Sequence, residues 1–289
     1  MVTGTGEFHQ CSLICRHEEH NMITADKGPK STFLGLLRGR FNVMKAVILR
    51  DLRTRFFDHG LGFLIVPLWP LAHMVILLII YSLSGRSVPF GDSLNLFFAT
   101  GLIPTLAFMY ISRFMSLSIV LNRPMMAFPA VTAVDIMAAR AFLEVVAGYL
   151  TLIFIFTILT ILGDNPIPYD MEQAVLAYLA TLLLAIGVGS LVSVIVMFVP
   201  FFVTVYALFM IVIYVASGTL FIVSALPDQI SYILSWNPVV HAVDWMRSAY
   251  YPTYSTKILD KQYLLGFGLG SLCLGLTLER TLRWKMLEG

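Results

Sequence analysis

The stretch that decides the fold is residues 173–227, QAVLAYLATLLLAIGVGSLVSVIVMFVPFFVTVYALFMIVIYVASGTLFIVSALP. These 55 residues contain no Asp, Glu, Lys or Arg. A helix needs about 20 apolar residues to cross the hydrocarbon core of a bilayer, so the stretch is too long for one crossing and suits two. Pro200 lies near the middle of this stretch, where a proline interrupts the hydrogen bonds of a helix. We therefore expect the turn between the two crossings at Pro200.

Four further uncharged segments along the 289-residue chain are long enough, or nearly so, to cross a bilayer. Apolar residues make up 58% of the chain and charged residues 12%, which excludes a disordered protein and is unlike an ordinary soluble domain. The pattern therefore predicts an all-α integral membrane protein with six transmembrane helices. The predicted spans cover residues 62–84, 94–113, 143–163, 174–198, 201–223 and 263–282.

The distribution of Lys and Arg predicts the orientation of these spans. With the N-terminus in the cytoplasm, 15 of the 19 basic residues lie in inside segments, and Arg86, Arg247, Lys257 and Lys261 lie outside. Since cytoplasmic loops of membrane proteins carry the excess of Lys and Arg, we expect both termini in the cytoplasm. The basic residues form a membrane-surface pattern, which indicates membrane lipids as a partner and no role in binding nucleic acid.

Two segments of different polarity precede the first predicted span. Residues 1–32 are polar and aperiodic, and we expect a flexible cytoplasmic tail there. In residues 33–57, apolar side chains such as Phe41 and Ile48 recur at helical spacing among Arg and Lys residues. Such a helix lies in the cytoplasmic interface of the membrane, where anionic headgroups attract it. The alternative is a helix that packs against a soluble partner.

The longest predicted outer loop, residues 224–262, joins spans five and six. It is rich in aromatic residues and is punctuated by Pro227, Pro238 and Pro252. Its residues 230–251 are too apolar for a free loop, so we expect short helices that dip into the membrane or lie on it.

The sequence predicts no catalytic residues, no metal site and no cofactor for this chain. Residues 28–32, GPKST, lack the glycines that a phosphate-binding loop places before its Lys. Cys11, Cys15, His17 and His20 are spaced unlike a zinc finger. A pump with this sequence therefore needs a partner that binds the nucleotide.

Titratable residues within the predicted spans are few. Glu144 stands one helical turn after Arg140 at the inner edge of the third span, where an i,i+4 ion pair is the simplest interpretation. His73 has no acidic residue within the membrane to which it could pass a proton, which disfavours a proton-driven carrier.

Aromatic residues and glycines in the spans suggest binding and packing surfaces. Some aromatic side chains are candidates for stacking against sugar rings, with helix packing or an interfacial belt as the alternative. These candidates are Trp69, Phe108, Tyr110, Tyr206 and Tyr214. The pairs Gly187 with Gly189 and Gly266 with Gly270 predict close approach of helices.

Three segments carry a resemblance to a known family. The first comprises LRDLRTRF at residues 49–56, LGF at 61–63 and PLWPL at 67–71. The second comprises TGLIP at 100–104, NRP at 122–124, FPAV at 128–131 and DIMAARAFLE at 135–144. The third comprises WNPVVH at 236–241, Arg247 and Tyr254 with Ser255. Over residues 33–285 the chain resembles ABC-2 type permeases, and the second segment resembles their capsular polysaccharide export branch in particular.

The resemblance implies an ABC-2 type transmembrane domain over residues 33–289, in a homodimer bound to two copies of a separate ABC ATPase that holds Mg-ATP. A coupling loop, residues 117–140, would dock on the ATPase through Asn122, Arg123, Pro124, Phe128, Pro129 and Asp135. The interface helix would form the substrate entrance with Arg50, Asp51, Arg53 and Arg55. The matching outer-loop residues are Trp236, Asn237, Pro238, His241 and Arg247.

The substrate implied by the resemblance is a lipid-linked capsular polysaccharide. It would cross the bacterial inner membrane and pass to periplasmic and outer-membrane export proteins. Within the same class, the alternatives are export of O-antigen, teichoic acid, a lipid or a drug. From other classes, an ion-coupled carrier or an intramembrane enzyme is the alternative, although the spans lack the clustered acids, metal motif or activated nucleophile that these require.

Overall fold

The computed structural model describes residues 33–55, 68–85 and 88–288 of the chain. The chain divides into two units, residues 1–42 and 43–289. The described residues form helices and turns without a strand, in agreement with the predicted all-α class. The helices are α1 (Phe33–Arg55), α2 (Leu68–Leu83), α3 (Leu94–Ser116), α4 (Ser118–Leu121), α5 (Ala133–Ile161), α6 (Met171–Phe198), α7 (Phe202–Val215), α8 (Asp228–Ser235), α9 (Pro238–Tyr250) and α10 (Lys261–Glu288), with 3-10 turns at Arg123–Ala127 and Val223–Ala225.

Three helices, α3, α5 and α6, are long and apolar enough to cross a membrane, and α2 and α7 are shorter apolar helices. In the most apolar parts of α3 and α6, 67% of the residues are buried, against 33% in α5. Helices α3 and α6 therefore form the centre of the second unit, and α5 lies at its periphery with much of its apolar surface exposed.

The closest helix packing occurs where α6 meets α10 and α3. A Cβ atom on Gly187 would clash with the carbonyl oxygen of Gly268, and one on Gly189 would clash with Met115 of α3. The prediction for Gly187 and Gly189 is thus confirmed. The prediction for Gly266 and Gly270 is wrong, because a Cβ atom on either would meet nothing within 4 Å.

Helices α6 and α7 are separated at Pro200, as the sequence predicts. Helix α6 ends at Phe198 and α7 begins at Phe202. The helical part of the predicted fifth span, residues 201–223, ends at Val215. An irregular segment follows, in which Gly218 has a φ of +74°, a conformation that glycine adopts without strain.

The apolar part of the outer loop folds into α8 and α9. Asn237 caps α9 by accepting a hydrogen bond from the backbone N–H of Val239, and Pro238 occupies the first helical position. Every residue of α9 is buried except Pro238 and Ser248, because the helix packs against α3, α6 and α10. The outer loop is therefore an integral part of the helical packing.

Candidate functional site

A buried ion cluster lies where the end of α1 meets α5. Nη2 of Arg140 is 2.5 Å from Oε1 of Glu144, four residues further along α5, and Nη1 is 3.5 Å from Oδ2 of Asp51 on α1. The three side chains each expose 6% or less of their surface. The guanidinium also lies 5.2 Å from the ring centroid of Phe114. We call Asp51, Arg140 and Glu144 the Arg140 cluster.

Next to this cluster, α1 also contacts the turn between α3 and α5. Nη1 of Arg50 donates to Oδ1 of Asn122 at 3.1 Å, and Nδ2 of Asn122 donates to the carbonyl oxygen of Ser118 at 3.1 Å. The hydroxyl of Ser118 lies 2.9 Å from that of Ser193 on α6. Residues 117–132, which we call the coupling turn, are thereby held by both α1 and α6.

The outward side of the coupling turn is exposed. Arg123, Pro124, Phe128 and Pro129 are exposed, and 61% of the Phe128 surface is accessible. Asp135 has a different environment, since its carboxylate accepts hydrogen bonds from the backbone N–H and hydroxyl of Thr132 in a capping box at the start of α5. Of the six predicted coupling residues, four are thus exposed, while Asn122 and Asp135 stabilise the turn and the helix start.

The basic residues predicted at the entrance are not equivalent. Arg50 is partly buried against Asn122, whereas Arg53 is exposed. Arg55 ends α1, and its side chain lies outside the described residues. Asp51 is 2% exposed and belongs to the Arg140 cluster. The structure therefore places Arg50 and Asp51 in contacts with the rest of the protein and leaves Arg53 exposed.

The five candidate sugar-stacking residues do not share one surface. Trp69 is 66% exposed near the start of α2, while Phe108 and Tyr206 are buried within the protomer. Tyr214 is partly exposed, and its ring packs 5.2 Å from the ring of His73. Tyr110 lines a small apolar cavity that also contacts Glu144.

Arg247 is the most completely buried charged residue among those described, with 0% exposure. Its Nη1 donates to the carbonyl oxygens of Gly218 and Phe221 at 2.8 and 3.0 Å, and Nη2 donates to that of Thr219 at 2.7 Å. The guanidinium stands 4.1 Å from the ring centroid of Phe97 on α3. These contacts join α9 to α3 and to the segment that follows α7.

The other predicted outer-loop residues hold neighbouring segments together. Nδ2 of Asn237 donates to the carbonyl oxygen of Ile213 at the end of α7. Nδ1 of His241 accepts from the backbone N–H of Asp260 at 3.0 Å, so in a neutral ring Nε2 carries the hydrogen and donates to the Ser235 carbonyl oxygen at 2.7 Å. The indole of Trp236 is 65% exposed.

Sequence reasoning missed several residues that complete this region. Oε1 of Gln173 accepts from both Nε1 of Trp245 at 2.9 Å and Nζ of Lys261 at 2.8 Å. The buried Asp244 accepts from the hydroxyl of Tyr254 at 2.8 Å. The available signal for Asp244 was that it stands three residues before Arg247 within the largely apolar helix α9.

The helical architecture and its apolar helices of spanning length define an integral membrane protein. No protein-family model matches the chain. It is 32% identical over 257 residues to the polysialic acid transport protein KpsM of Escherichia coli, a match covering 87% of this chain and 99% of that protein.

Two further relatives extend the comparison. The capsule polysaccharide export inner-membrane protein CtrC of Neisseria meningitidis serogroup A is 27% identical, with 86% of this chain and 93% of CtrC covered. Its counterpart BexB of Haemophilus influenzae is 24% identical, with 88% and 96% covered. The chain belongs to the family of capsule polysaccharide export inner-membrane permeases.

Proposed function

We propose that this chain is the permease subunit of an ATP-driven ABC exporter that moves a lipid-linked capsular polysaccharide across the bacterial inner membrane. The observation that carries the proposal is the match along nearly the whole length of relatives named for polysialic acid transport and capsule polysaccharide export. The chain supplies the path, and a separate ATPase supplies the energy from Mg-ATP.

The proposed topology has six spans, formed by α2, α3, α5, α6, α7 and α10, with both termini in the cytoplasm. Helix α1 lies at the cytoplasmic interface, and α8 and α9 pack into the outer end of the bundle. The excess of Lys and Arg in the segments assigned to the cytoplasm supports this orientation. The predicted cytoplasmic tail, residues 1–32, lies outside the described residues.

The polymer path is proposed to form between two copies of the chain. An anionic polysaccharide needs polar or open walls, whereas the cavities between α3, α5 and α6 are lined mainly by apolar side chains. Helix α7 buries only Tyr206 and Met210 within the protomer. Its remaining surface is available for a second copy, and this supports a homodimer bound to two ATPase subunits.

The coupling turn is the proposed contact for the ATPase. Arg123, Pro124, Phe128 and Pro129 are exposed in it, and its buried residues Asn122 and Ser118 contact α1 and α6. A displacement of the turn by the ATPase would therefore move these helices as a rigid body. The Arg140 cluster would carry the same motion into α5.

Arg50, Arg53 and Arg55 are proposed to attract the anionic end of the substrate to the cytoplasmic entrance. We predict that changing all three to Gln abolishes export while the ATPase still copurifies, because three positive charges are removed and the exposed residues of the coupling turn are unchanged. Arg50 also bonds Asn122, so Asn122→Ala is the matched control, which loses that contact without losing a charge. Normal export by the triple variant would assign these arginines to phospholipid binding alone.

Deletion and copurification together test the function. Deleting the gene should remove polysaccharide from the cell surface, leave polymer inside the cell, and be reversed by a plasmid copy. The tagged chain should copurify with a stoichiometric ATPase whose hydrolysis depends on nucleotide and Mg²⁺. Unchanged surface polysaccharide after deletion would contradict the cargo, and a chain that purifies without an ATPase would contradict the exporter class.

A further inference from the structure

His241 joins three helices at the point where α8, α9 and α10 meet. It lies in the first turn of α9 and exposes 3% of its surface. Its Nε2 donates to the carbonyl oxygen of Ser235, the last residue of α8, at 2.7 Å. Its Nδ1 accepts from the backbone N–H of Asp260, which directly precedes α10, at 3.0 Å. Both ring nitrogens are therefore occupied by partners from different segments.

The contact with Asp260 exists only while the imidazole of His241 is neutral. A backbone N–H is a donor, so its partner Nδ1 has to be free of hydrogen. Protonation of the ring places a hydrogen on Nδ1, and two donors then face each other. Nε2 carries its hydrogen in both charge states, so the bond to Ser235 persists. Protonation therefore detaches Asp260 from α9 and leaves α8 attached.

Asp260 organises the start of α10. Its Oδ1 accepts from the backbone N–H of Tyr263 at 2.9 Å, which is the hydrogen bond that caps a helix at its N-terminus. A displacement of the Asp260 backbone therefore disturbs this cap as well. The hydroxyl of Tyr263 donates to the carbonyl oxygen of Trp236 at 2.8 Å, and this bond is independent of the charge on His241. The change is thus confined to the first turn of α10 and the loop before it.

Two groups close to His241 favour its protonated form. Asp244 lies three residues further along α9, and its carboxylate interacts with the charge on His241. The carbonyl end of α8, at Ser235, also favours a cation. Lys261 opposes them, although its Nζ is bound to Oε1 of Gln173 at 2.8 Å. An imidazolium therefore has an anionic partner within the protein once Asp260 has moved.

The helices packed against α9 contribute few other titratable or charged groups near His241. The ring of Tyr263 lies 5.1 Å from the imidazole centroid and is uncharged below about pH 10. Arg247, on α9 itself, binds the three carbonyl oxygens described above. The remaining groups are exposed, paired or far along their helices. They are Asp228 of α8, which pairs with Lys257, the exposed Glu172 of α6, Arg113 in the last turn of α3, and Glu279 with the charged residues that follow it on α10.

Asp244 is the other group in this region whose charge responds to acid. It is 1% exposed and accepts from the hydroxyl of Tyr254 at 2.8 Å. Burial raises the pKa of the Asp244 carboxyl above its ordinary value, although Tyr254, Arg247 and His241 act in the opposite direction. Protonation of Asp244 would leave the contact between His241 and Asp260 in place. The two groups therefore predict different behaviour in variants.

We propose that His241 is a pH-sensitive latch, which holds the start of α10 to α9 while its ring is neutral and releases it when the ring is protonated. Histidine is the side chain that ordinarily changes charge between pH 5 and 8, so the latch is closed at pH 8 and open at pH 5. In the proposed topology it faces the outer compartment and would respond to acid there. The proposal does not depend on the exported cargo.

Hydrogen exchange followed by mass spectrometry of the purified full-length chain tests the latch. Peptides that cover residues 252–264 are compared at pH 8 and pH 5, and each exchange rate is divided by the intrinsic rate at that pH. We expect protection in the wild type to fall about tenfold at pH 5, the effect of one lost buried hydrogen bond on a local opening equilibrium. Peptides from the buried parts of α3 and α6 should keep their protection. Equal protection of residues 252–264 at the two pH values would overturn the proposal.

His241→Asn identifies the sensor. Oδ1 of the amide can accept from the Asp260 N–H in place of Nδ1, but the amide takes up no proton in this pH range. Loss of Nε2 should lower protection at both pH values, while the ratio of protection between them falls from about ten to about one. Tyr263→Phe is the matched control, since it removes the neighbouring bond to Trp236 and keeps His241. It should lower protection at both pH values and retain the wild-type ratio.

Asp244→Asn separates the two acid-sensitive groups. This variant should keep a pH response, because His241 remains titratable. A response that is lost in Asp244→Asn, or retained in His241→Asn, would overturn the proposal. Should His241→Asn not fold, the wild type and Asp244→Asn still decide, because the absence of a response in either contradicts the latch. Because hydrogen exchange is measured, a failure of export does not affect the outcome.

Discussion

At the scale of single residues, Arg247 shows how a buried charge stabilises an irregular segment of the chain. Its guanidinium binds three carbonyl oxygens, from Gly218, Thr219 and Phe221, in the segment that follows α7. Buried carbonyl groups without a donor are costly, and the negative end of the α7 dipole favours a cation there. Arg247 therefore stabilises the segment that follows α7.

We predict that Arg247→Met lowers the free energy of unfolding by about 3 kcal/mol, since it leaves buried carbonyl groups without donors. Arg247→Lys should recover only part of this loss, because an ammonium lacks the planar fork that reaches three acceptors at once. Thermal unfolding of the detergent-purified protein measures both changes.

Lys257 provides the control for Arg247. It binds Asp228 at 2.7 Å, yet the two side chains are 66% and 86% exposed. The hydrogen bond and charge of Lys257 hold the pKa of the Asp228 carboxyl below its ordinary value, but solvent screens so exposed a pair. Lys257→Met should leave the unfolding temperature unchanged. If Lys257→Met and Arg247→Met lowered the stability by similar amounts, burial of the Arg247 guanidinium would not be the reason for its contribution to stability.

The Arg140 cluster contains one cation and two carboxylates, so its parts are not interchangeable. Arg140→Met should cost about 3 kcal/mol of stability, because the buried carboxylates of Asp51 and Glu144 then lose the guanidinium that both of them contact. Adding Glu144→Gln should restore part of that stability, which a double-mutant cycle measures. Additive effects of the two substitutions would show that the pair is not coupled.

At the scale of helices, the contact between α6 and α10 depends on backbone approach at Gly187 and Gly268. We predict that Gly187→Ala lowers stability by about 2 kcal/mol, since its methyl group would overlap the carbonyl oxygen of Gly268 and force the helices apart. Gly266→Ala is the matched control, because its methyl group meets nothing, and it should be neutral or slightly stabilising. Unfolding in detergent distinguishes the two, and equal effects would rule out the proposed contact.

The spacing of glycines in the sequence indicated that α10 packs closely against another helix. It pointed to Gly266 and Gly270, whereas Gly268 and Gly275 make the close contacts. Gly266, Gly268, Gly270 and Gly275 all lie on one helix, and those two residues apart face directions about 200° different. Which face meets α6 depends on the rotation of α10, and tertiary packing sets that rotation. The sequence therefore predicted the type of contact and could not choose Gly268 and Gly275.

The limits of α7 have a similar explanation. Uncharged composition predicted a crossing up to residue 223, whereas the helix ends at Val215. In the segment that follows, Gly218 has a positive φ and Arg247 bonds the carbonyl oxygens of Gly218 and Thr219, and such long-range hydrogen bonds leave no periodic pattern. By contrast, the break at Pro200 was predictable because proline acts on its own backbone.

At the scale of the whole molecule, the apolar helices follow from composition, while the arrangement of the candidate sites does not. The ion pair between Arg140 and Glu144 is local, so helical spacing suggested it directly. Asp51, which also contacts Arg140, lies 89 residues earlier in the sequence. The hydrogen bond between Arg50 and Asn122 joins residues that are 72 positions apart. These contacts join the C-terminal part of α1 to the coupling turn and to α5, which no single segment of sequence reveals.

The coupling turn leads to a prediction about the two sides of the membrane. In a background with Cys11, Cys15 and Cys273 changed to Ser, Asp228→Cys should react with an impermeant maleimide on intact spheroplasts. Arg123→Cys should react only in inside-out vesicles, because the positive-inside distribution assigns the coupling turn to the cytoplasm. Mass shifts of the purified protein report the labelling.

The ATPase partner provides the second half of this experiment. Arg123 lies on the exposed side of the coupling turn, so the bound ATPase should protect Arg123→Cys in inside-out vesicles and leave Asp228→Cys unchanged. Stripping the ATPase from the vesicles should restore the labelling. If Arg123→Cys reacts on intact spheroplasts, the proposed orientation is wrong. If it reacts in inside-out vesicles equally fast with and without the ATPase, the orientation stands, but the coupling turn is excluded as the docking surface. Orientation and coupling are thus separated within one set of variants.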